Sequence, residues 1–149
     1  MEHSDSNMEC VMPFREKIAW ISVVTTSVIW GGFFGFMAVT RGQYHGGVYA
    51  VSFFGALILQ AILVAAAAIV TAILSPKEAS ASRDERDTAI SHRAYAIAYP
   101  VLLTLVLCVI GTLHLGMSKI GMAYGIMGAI VIAEIVHYGA QIVGYRMGG

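Results

Sequence analysis

Five residues near the C-terminus recur at spacings of three and four: Glu134, His137, Tyr138, Gln141 and Tyr145. On a helix at about 100° per residue they fall within an arc of roughly 100°, while Ile132, Ala133, Ile135, Val136 and Ile142 take the rest of the surface. A carboxyl, an imidazole, an amide and two phenols on one stripe can hold and pass protons, or bind a polar ligand. The same groups can instead lock helices together, with a protonated Glu134 bonded to His137 or to Gln60, the comparable polar residue of an earlier apolar stretch.

Metal chemistry fits these residues poorly. Glu134-x-x-His137 has the spacing used in di-iron helix bundles, but those centres need several carboxylates, and Glu134 is the only one in the apolar stretches. His114 and His137 lie roughly 20 Å apart in depth, too far to share a haem iron. His114, Met117 and Met122 offer soft copper ligands, although methionine at such a position reads as packing. No metal and no cofactor is expected. The chain also lacks a nucleophile with an evident base, a glycine-rich phosphate loop and paired carboxylates, so it does not read as an enzyme.

The elements that carry these residues follow from composition. The chain is 58% hydrophobic and only 12% charged, with a mean hydropathy of +0.74. This is far more apolar surface than one soluble core of this size uses, so the excess faces lipid. Four apolar stretches reach the roughly 20 residues needed to cross the hydrocarbon: 18–40, 48–74, 94–115 and 120–143. They are too continuous for the alternating strands of a transmembrane barrel. The expected fold is therefore all-α, a polytopic membrane protein with four transmembrane helices. A tail (1–14) precedes a transmembrane domain (15–146), and residues 147–149 follow it.

Orientation comes from Lys and Arg, which stay in the cytoplasm. Arg15, Lys17, Lys77, Arg83, Arg86, Arg93 and Arg146 fall on one side of four spans, and Arg41 and Lys119 on the other. Both termini are expected inside. Residues 1–13 lack the basic start and apolar run of a cleavable signal, so the first span is expected to remain as an anchor. Cys10 falls in the tail and Cys108 within the third span, which predicts no disulfide. Zero formal net charge gives no reason to expect direct nucleic-acid binding.

Glycines suggest where helices approach one another. Gly31, Gly32 and Gly35 offer a small-residue face on the first span, and Gly121, Gly125 and Gly128 offer another on the fourth. Ser22, Thr25 and Thr26 are expected to satisfy local carbonyls. Glu134 lies about 18 to 20 Å from either end of the stretch between Gly121 and Arg146, near the bilayer midplane. An ionisable group there costs several kcal/mol, so it is expected to face the bundle interior and find partners.

The one substantial aqueous element is the loop 75–93. Ser82 followed three residues later by Glu85 has capping-box spacing, which predicts a helix start near Arg83, in the cytosol, and Pro100 is a candidate kink beyond it. The run Arg83-Asp84-Glu85-Arg86-Asp87, then Ile90, then Arg93-Ala94, leads directly into a membrane helix. This resembles a family of uncharacterised small bacterial and archaeal membrane proteins with a D-E-R-x-x-x-I signature before the third of four helices. The resemblance implies a four-helix protein of the cytoplasmic (inner) membrane without known catalysis, sometimes associated with small DNA-binding regulators, and names no substrate.

Two functions remain open. The first is a non-catalytic interaction or assembly subunit, whose cytosolic residues Arg83, Asp84, Glu85, Arg86 and Asp87 meet a cytosolic protein. Its polar stripe would serve a homo-oligomer or larger membrane complex. The second is a small proton-linked transporter or channel working through Glu134, His137 and Gln60. A cavity reaching Glu134 favours transport, and a dry packed stripe favours assembly. The topology itself is testable: a reporter active only outside the cytoplasm is expected to work when inserted at Gly46 and to stay silent when fused after Gly149. The opposite pattern reverses the orientation.

Overall fold

Each apolar stretch lies within a helix long enough to cross a bilayer. A computed structural model describes residues 14–40, 43, 46–74, 76 and 84–147. In chain order the helices are α1 (Phe14–Thr40), α2 (Gly46–Leu74), α3 (Glu85–Gly111) and α4 (Lys119–Arg146), with a 3₁₀ turn, Thr112–Leu115, after α3. At 1.5 Å per residue, the 27 residues of α1 span about 40 Å.

The helices do not close into a ring. Extensive contacts run from α2 to α1, from α1 to α4, and from α4 to α3. The central pair is thus α1 and α4, and α2 is an outer helix whose only buried residue is Tyr49. A soluble protein could not leave Leu57, Ile58, Ile62 and Ile69 exposed, as α2 does. Lipid makes that arrangement permissible, because apolar side chains gain little by leaving hydrocarbon for one another.

Small residues and aromatics fill the contacts that do form. Ala19, Ala94, Ala98, Ala129 and Ala133 are buried, letting α1, α3 and α4 approach one another. Trp30, Phe33 and Val131 form the core of the opposite half, with Phe53 of α2 and Tyr124 of α4 packed on it. Their rings meet edge-on or tilted, Trp30 to Phe33 at 5.8 Å and Trp30 to Phe53 at 5.7 Å. These are favourable aromatic geometries.

Charged residues gather at one end. Arg15 Nε lies 2.9 Å from Asp87 Oδ2, and Arg146 Nε lies 3.3 Å from Glu16 Oε1. The Arg146 guanidinium also sits 5.3 Å from the centre of the Trp20 ring. These contacts join the starts of α1 and α3 to the end of α4, which we call the basic end. The two ends of the described chain therefore lie on the same side of the bundle.

Several local expectations need correction. The third helix begins at Glu85, and its cap is Asp84, whose carboxylate accepts from the Glu85 N–H at 2.7 Å. Asp84 satisfies a free amide at this start directly, which places the start two residues beyond Arg83, near which it was expected. Ser82 and Arg83 lie outside the described residues. Helix α3 is assigned without a break through Pro100. At the far end Gly116 adopts φ +81°, a left-handed turn that favours glycine, and Ser118 caps α4 by accepting from the Gly121 N–H at 3.0 Å.

Close approach falls on only some of the expected glycines. A Cβ on Gly31, Gly32 or Gly35 would meet nothing within 4 Å, so these residues bring no helix of this chain closer. Gly125 does face α3, its Cβ position lying 3.0 Å from Val109 Cγ1. Tightest is Gly144, where an added Cβ would lie 2.8 Å from Cγ2 of the buried, β-branched Ile90. Gly144→Ala is expected to cost about 1–3 kcal/mol through overpacking. Gly31→Ala should leave the thermal midpoint in detergent unchanged or raised. Equal midpoints for the two variants would contradict this packing.

Candidate functional site

Because α2 and α4 make no extensive contact, the space between them remains open above α1. Ser22, Thr26 and Trp30, spaced one helical turn apart on α1, form its floor. Gln60 on α2 and Glu134 and Tyr138 on α4 supply its remaining polar groups, among apolar side chains such as Leu57, Val64 and Ile130. The volume is about 320 Å³. Gln60 stands about 21 Å from each end of α2, and Glu134 about 18 Å from the basic end of α4, so both lie at mid-depth.

Hydrogen bonding in this groove differs from the expected lock. Gln60 Nε2 donates to Thr26 Oγ1 at 2.9 Å and reaches Thr25 Oγ1 at 3.4 Å, joining α2 to α1. Thr25 meanwhile donates back to the Ile21 carbonyl at 2.8 Å, as threonines in membrane helices commonly do. Tyr138 lines the groove beside both Ser22 and Glu134. Among the described residues Glu134 makes no hydrogen bond and no ion pair, and it is exposed. It does not face a closed interior, because α2 stands away from the α4 surface that carries it. Gln60 Oε1 is buried without a partner.

The rest of the stripe faces a second cavity, toward the basic end. This space of about 300 Å³ is bounded by Arg15, Asp87, Ser91, Tyr95, His137 and Gln141, with Tyr138 and Tyr145 also on its wall. His137 is only 6% exposed. Its Nε2 lies 2.9 Å from Gln141 Nε2. With the amide donating, the imidazole accepts at Nε2 and carries its proton on Nδ1, which is buried and unpartnered. The ring lies against Tyr95 at 4.1 Å between centroids and meets Tyr138 edge-on at 5.1 Å.

Thus the structure splits the predicted set. Gln60, Glu134 and Tyr138 meet in the groove, whereas His137, Tyr138, Gln141 and Tyr145 meet in the cavity. Only Tyr138 lines both. Glu134 and His137 face different spaces, so their Glu-x-x-His spacing does not converge on one point. Of the cytosolic set, Asp84 caps α3 and Asp87 pairs with Arg15, while Glu85 and Arg86 are exposed. Arg83 lies outside the described residues. Sequence reasoning missed Thr26 and Trp30 as groove residues, although Ser22, Thr26 and Trp30 repeat every four positions and so mark one face.

The family match runs over residues 17–147, taking in all of this groove and most of the cavity wall. The chain belongs to the family of predicted membrane proteins known as DUF2178. No curated protein and no solved structure matches it. Membership agrees with four membrane-crossing helices and with the coarse content of the resemblance, an uncharacterised membrane family. It supplies no substrate, so the chemistry rests on the residues just described.

The two interhelical ties should respond differently to salt. Arg15 and Asp87 are about a third and a quarter exposed, so Asp87→Asn is expected to cost at most about 1 kcal/mol, a loss that shrinks at high ionic strength. Gln60→Leu, by breaking the bond to Thr26 within the span, should cost about 0.5–1 kcal/mol at any salt concentration. Thermal unfolding in detergent at low and high salt tests both; a salt-sensitive Gln60→Leu loss would contradict the assigned depth.

Proposed function

We propose that this DUF2178 protein is a non-catalytic, proton-linked carrier of the cytoplasmic membrane that binds its ligand at Glu134. One observation carries the reading: the lone carboxyl of the membrane spans stands exposed on an open groove instead of being tied into a packed stripe. A structural carboxyl would be expected to hold partners, since leaving it bare in hydrocarbon costs several kcal/mol. A working carboxyl has to exchange them. The polar cavity at the basic end offers a route for protons, because His137 and Tyr138 can both donate and accept hydrogen bonds from water. Tyr138, which lines both spaces, is the residue through which the two would communicate.

An assembly role is favoured by a separate observation, the poor cover of α2. A second copy seated beside α2 would shield its exposed Leu57, Ile58, Ile62 and Ile69 and cover the groove without altering the helices themselves. The exposed Glu85 and Arg86 are the part of the cytosolic segment still free to meet a protein partner, since Asp84 and Asp87 serve the fold.

Reconstitution tests the carrier. Liposomes loaded with a pH-sensitive dye and given a pH step should show proton movement with the parent protein and about tenfold less with Glu134→Gln, which keeps shape but cannot ionise. Elution as the same folded species in detergent is the control. Undiminished movement with Glu134→Gln, or none with the parent at any pH, defeats the proposal.

A further inference from the structure

We propose that the groove at Glu134 binds a lipophilic ammonium ion, a protonated amine carried on an apolar or aromatic body. This deepens the carrier reading by naming its ligand class. Charge supplies the first reason. The four apolar stretches contain no Lys or Arg, and no cation of the described chain pairs with Glu134. Among the described residues no Lys or Arg supplies a counter-charge for an ionised Glu134, so the site suits a cation from outside the chain.

Donor and acceptor balance supplies the second. Gln60 donates its amide N–H groups to Thr26 and Thr25, and its Oε1 is a buried acceptor with no donor among the described residues. Ionised Glu134 is likewise acceptor-only. Two acceptors without donors disfavour a carboxylate or phosphate ligand and suit N–H groups on a cation. The Trp30 ring adds a face that attracts positive charge.

Shape and access supply the third. Leu57, Val64 and Ile130 make much of the wall apolar. The volume of about 320 Å³ is at the lower end of what holds drug-sized ligands. With α2 and α4 apart, the opening lies on the side of the bundle that lipid surrounds, so the ligand must partition into the membrane before it binds. A protonated amine on an aromatic body meets all three conditions; a sugar lacks the charge and the apolar body, a free metal ion lacks the apolar body, and an organic anion lacks the positive charge and the donors. Exchange at the site conserves charge: one proton leaves the Glu134 carboxyl as one monovalent ammonium enters, and the proton returns when the amine departs.

The probe is 1-naphthylmethylammonium, compared with 1-naphthalenemethanol as its neutral counterpart and 1-naphthoate as an anion. Binding to the purified full-length chain in detergent is measured by equilibrium dialysis, against empty micelles. Saturable binding of the ammonium alone is expected, weakened at least tenfold in Glu134→Gln and largely retained in Glu134→Asp, which keeps the charge. Binding of the alcohol equal to that of the ammonium overturns the proposal. So does unweakened binding to a folded Glu134→Gln, or no binding to the parent. The assay uses no gradient and so separates the two claims. Ammonium binding without proton movement in liposomes would remove the carrier and keep the ligand class. Proton movement without ammonium binding would do the reverse.

Discussion

Hydrocarbon offers no hydrogen bonds, and this bundle depends on how its polar groups are paired without water. Each helix satisfies its own backbone, which is why only helices appear among the described elements. Side chains follow the same rule where they can. Thr25, Thr40 and Thr71 donate to carbonyls one turn back, and Gln60 finds Thr26 across the α1–α2 boundary. Among the described residues two buried side-chain atoms lack partners, Gln60 Oε1 and His137 Nδ1, and their residues line the two polar spaces that share Tyr138. An unpaired buried polar atom costs about 1–3 kcal/mol. Glu134, exposed on the groove, adds an unpaired carboxyl to the same neighbourhood.

Packing obeys a different constraint at each side of the bundle. Between α1, α3 and α4, alanines and Gly144 bring backbones close, and a single methyl is enough to disturb the fit. Between α1 and α2, large rings and side-chain bonds hold helices that otherwise face lipid. Besides those from Gln60, a bond joins the Thr40 and Tyr49 hydroxyls at 2.9 Å, near the turn between the helices.

Hydropathy alone was enough to read four spans, because crossing lipid demands long apolar runs whatever the fold. Helix ends were less legible. The start of α3 was expected near Arg83 and lies at Glu85, because Asp84, Ser82 and Glu85 are all good capping residues and only the backbone path selects among them. Lateral order was legible only where a short turn joins two helices, as residues 41–47 join α1 and α2. With lipid as apolar as leucine, no hydrophobic pattern says that α2 touches α1 and stands off from α4. The site inherited that gap: rise per residue put Gln60 and Glu134 at one depth, but Thr26 lies there too, and helix order decided which of them Gln60 meets. His137 was similarly assigned to Glu134's stripe, while its 60° offset at about 100° per residue turns it toward α3.

The contact between α1 and α4 also orders events during synthesis. The α1–α2 hairpin leaves the ribosome first, and nothing in it can cover Glu16, Ser22 or the far face of Trp30. Those positions are completed only when the last helix arrives; the Glu16–Arg146 bond alone spans 130 residues of sequence. Assembly is then the docking of two separately inserted hairpins, α1–α2 and α3–α4, through one seam. Until that docking, the first hairpin must stay in the membrane with its α4-facing surface bare. A chain arrested before α4 would leave Glu16 and Ser22 of α1 uncovered, so the last helix completes the burial that the first one begins.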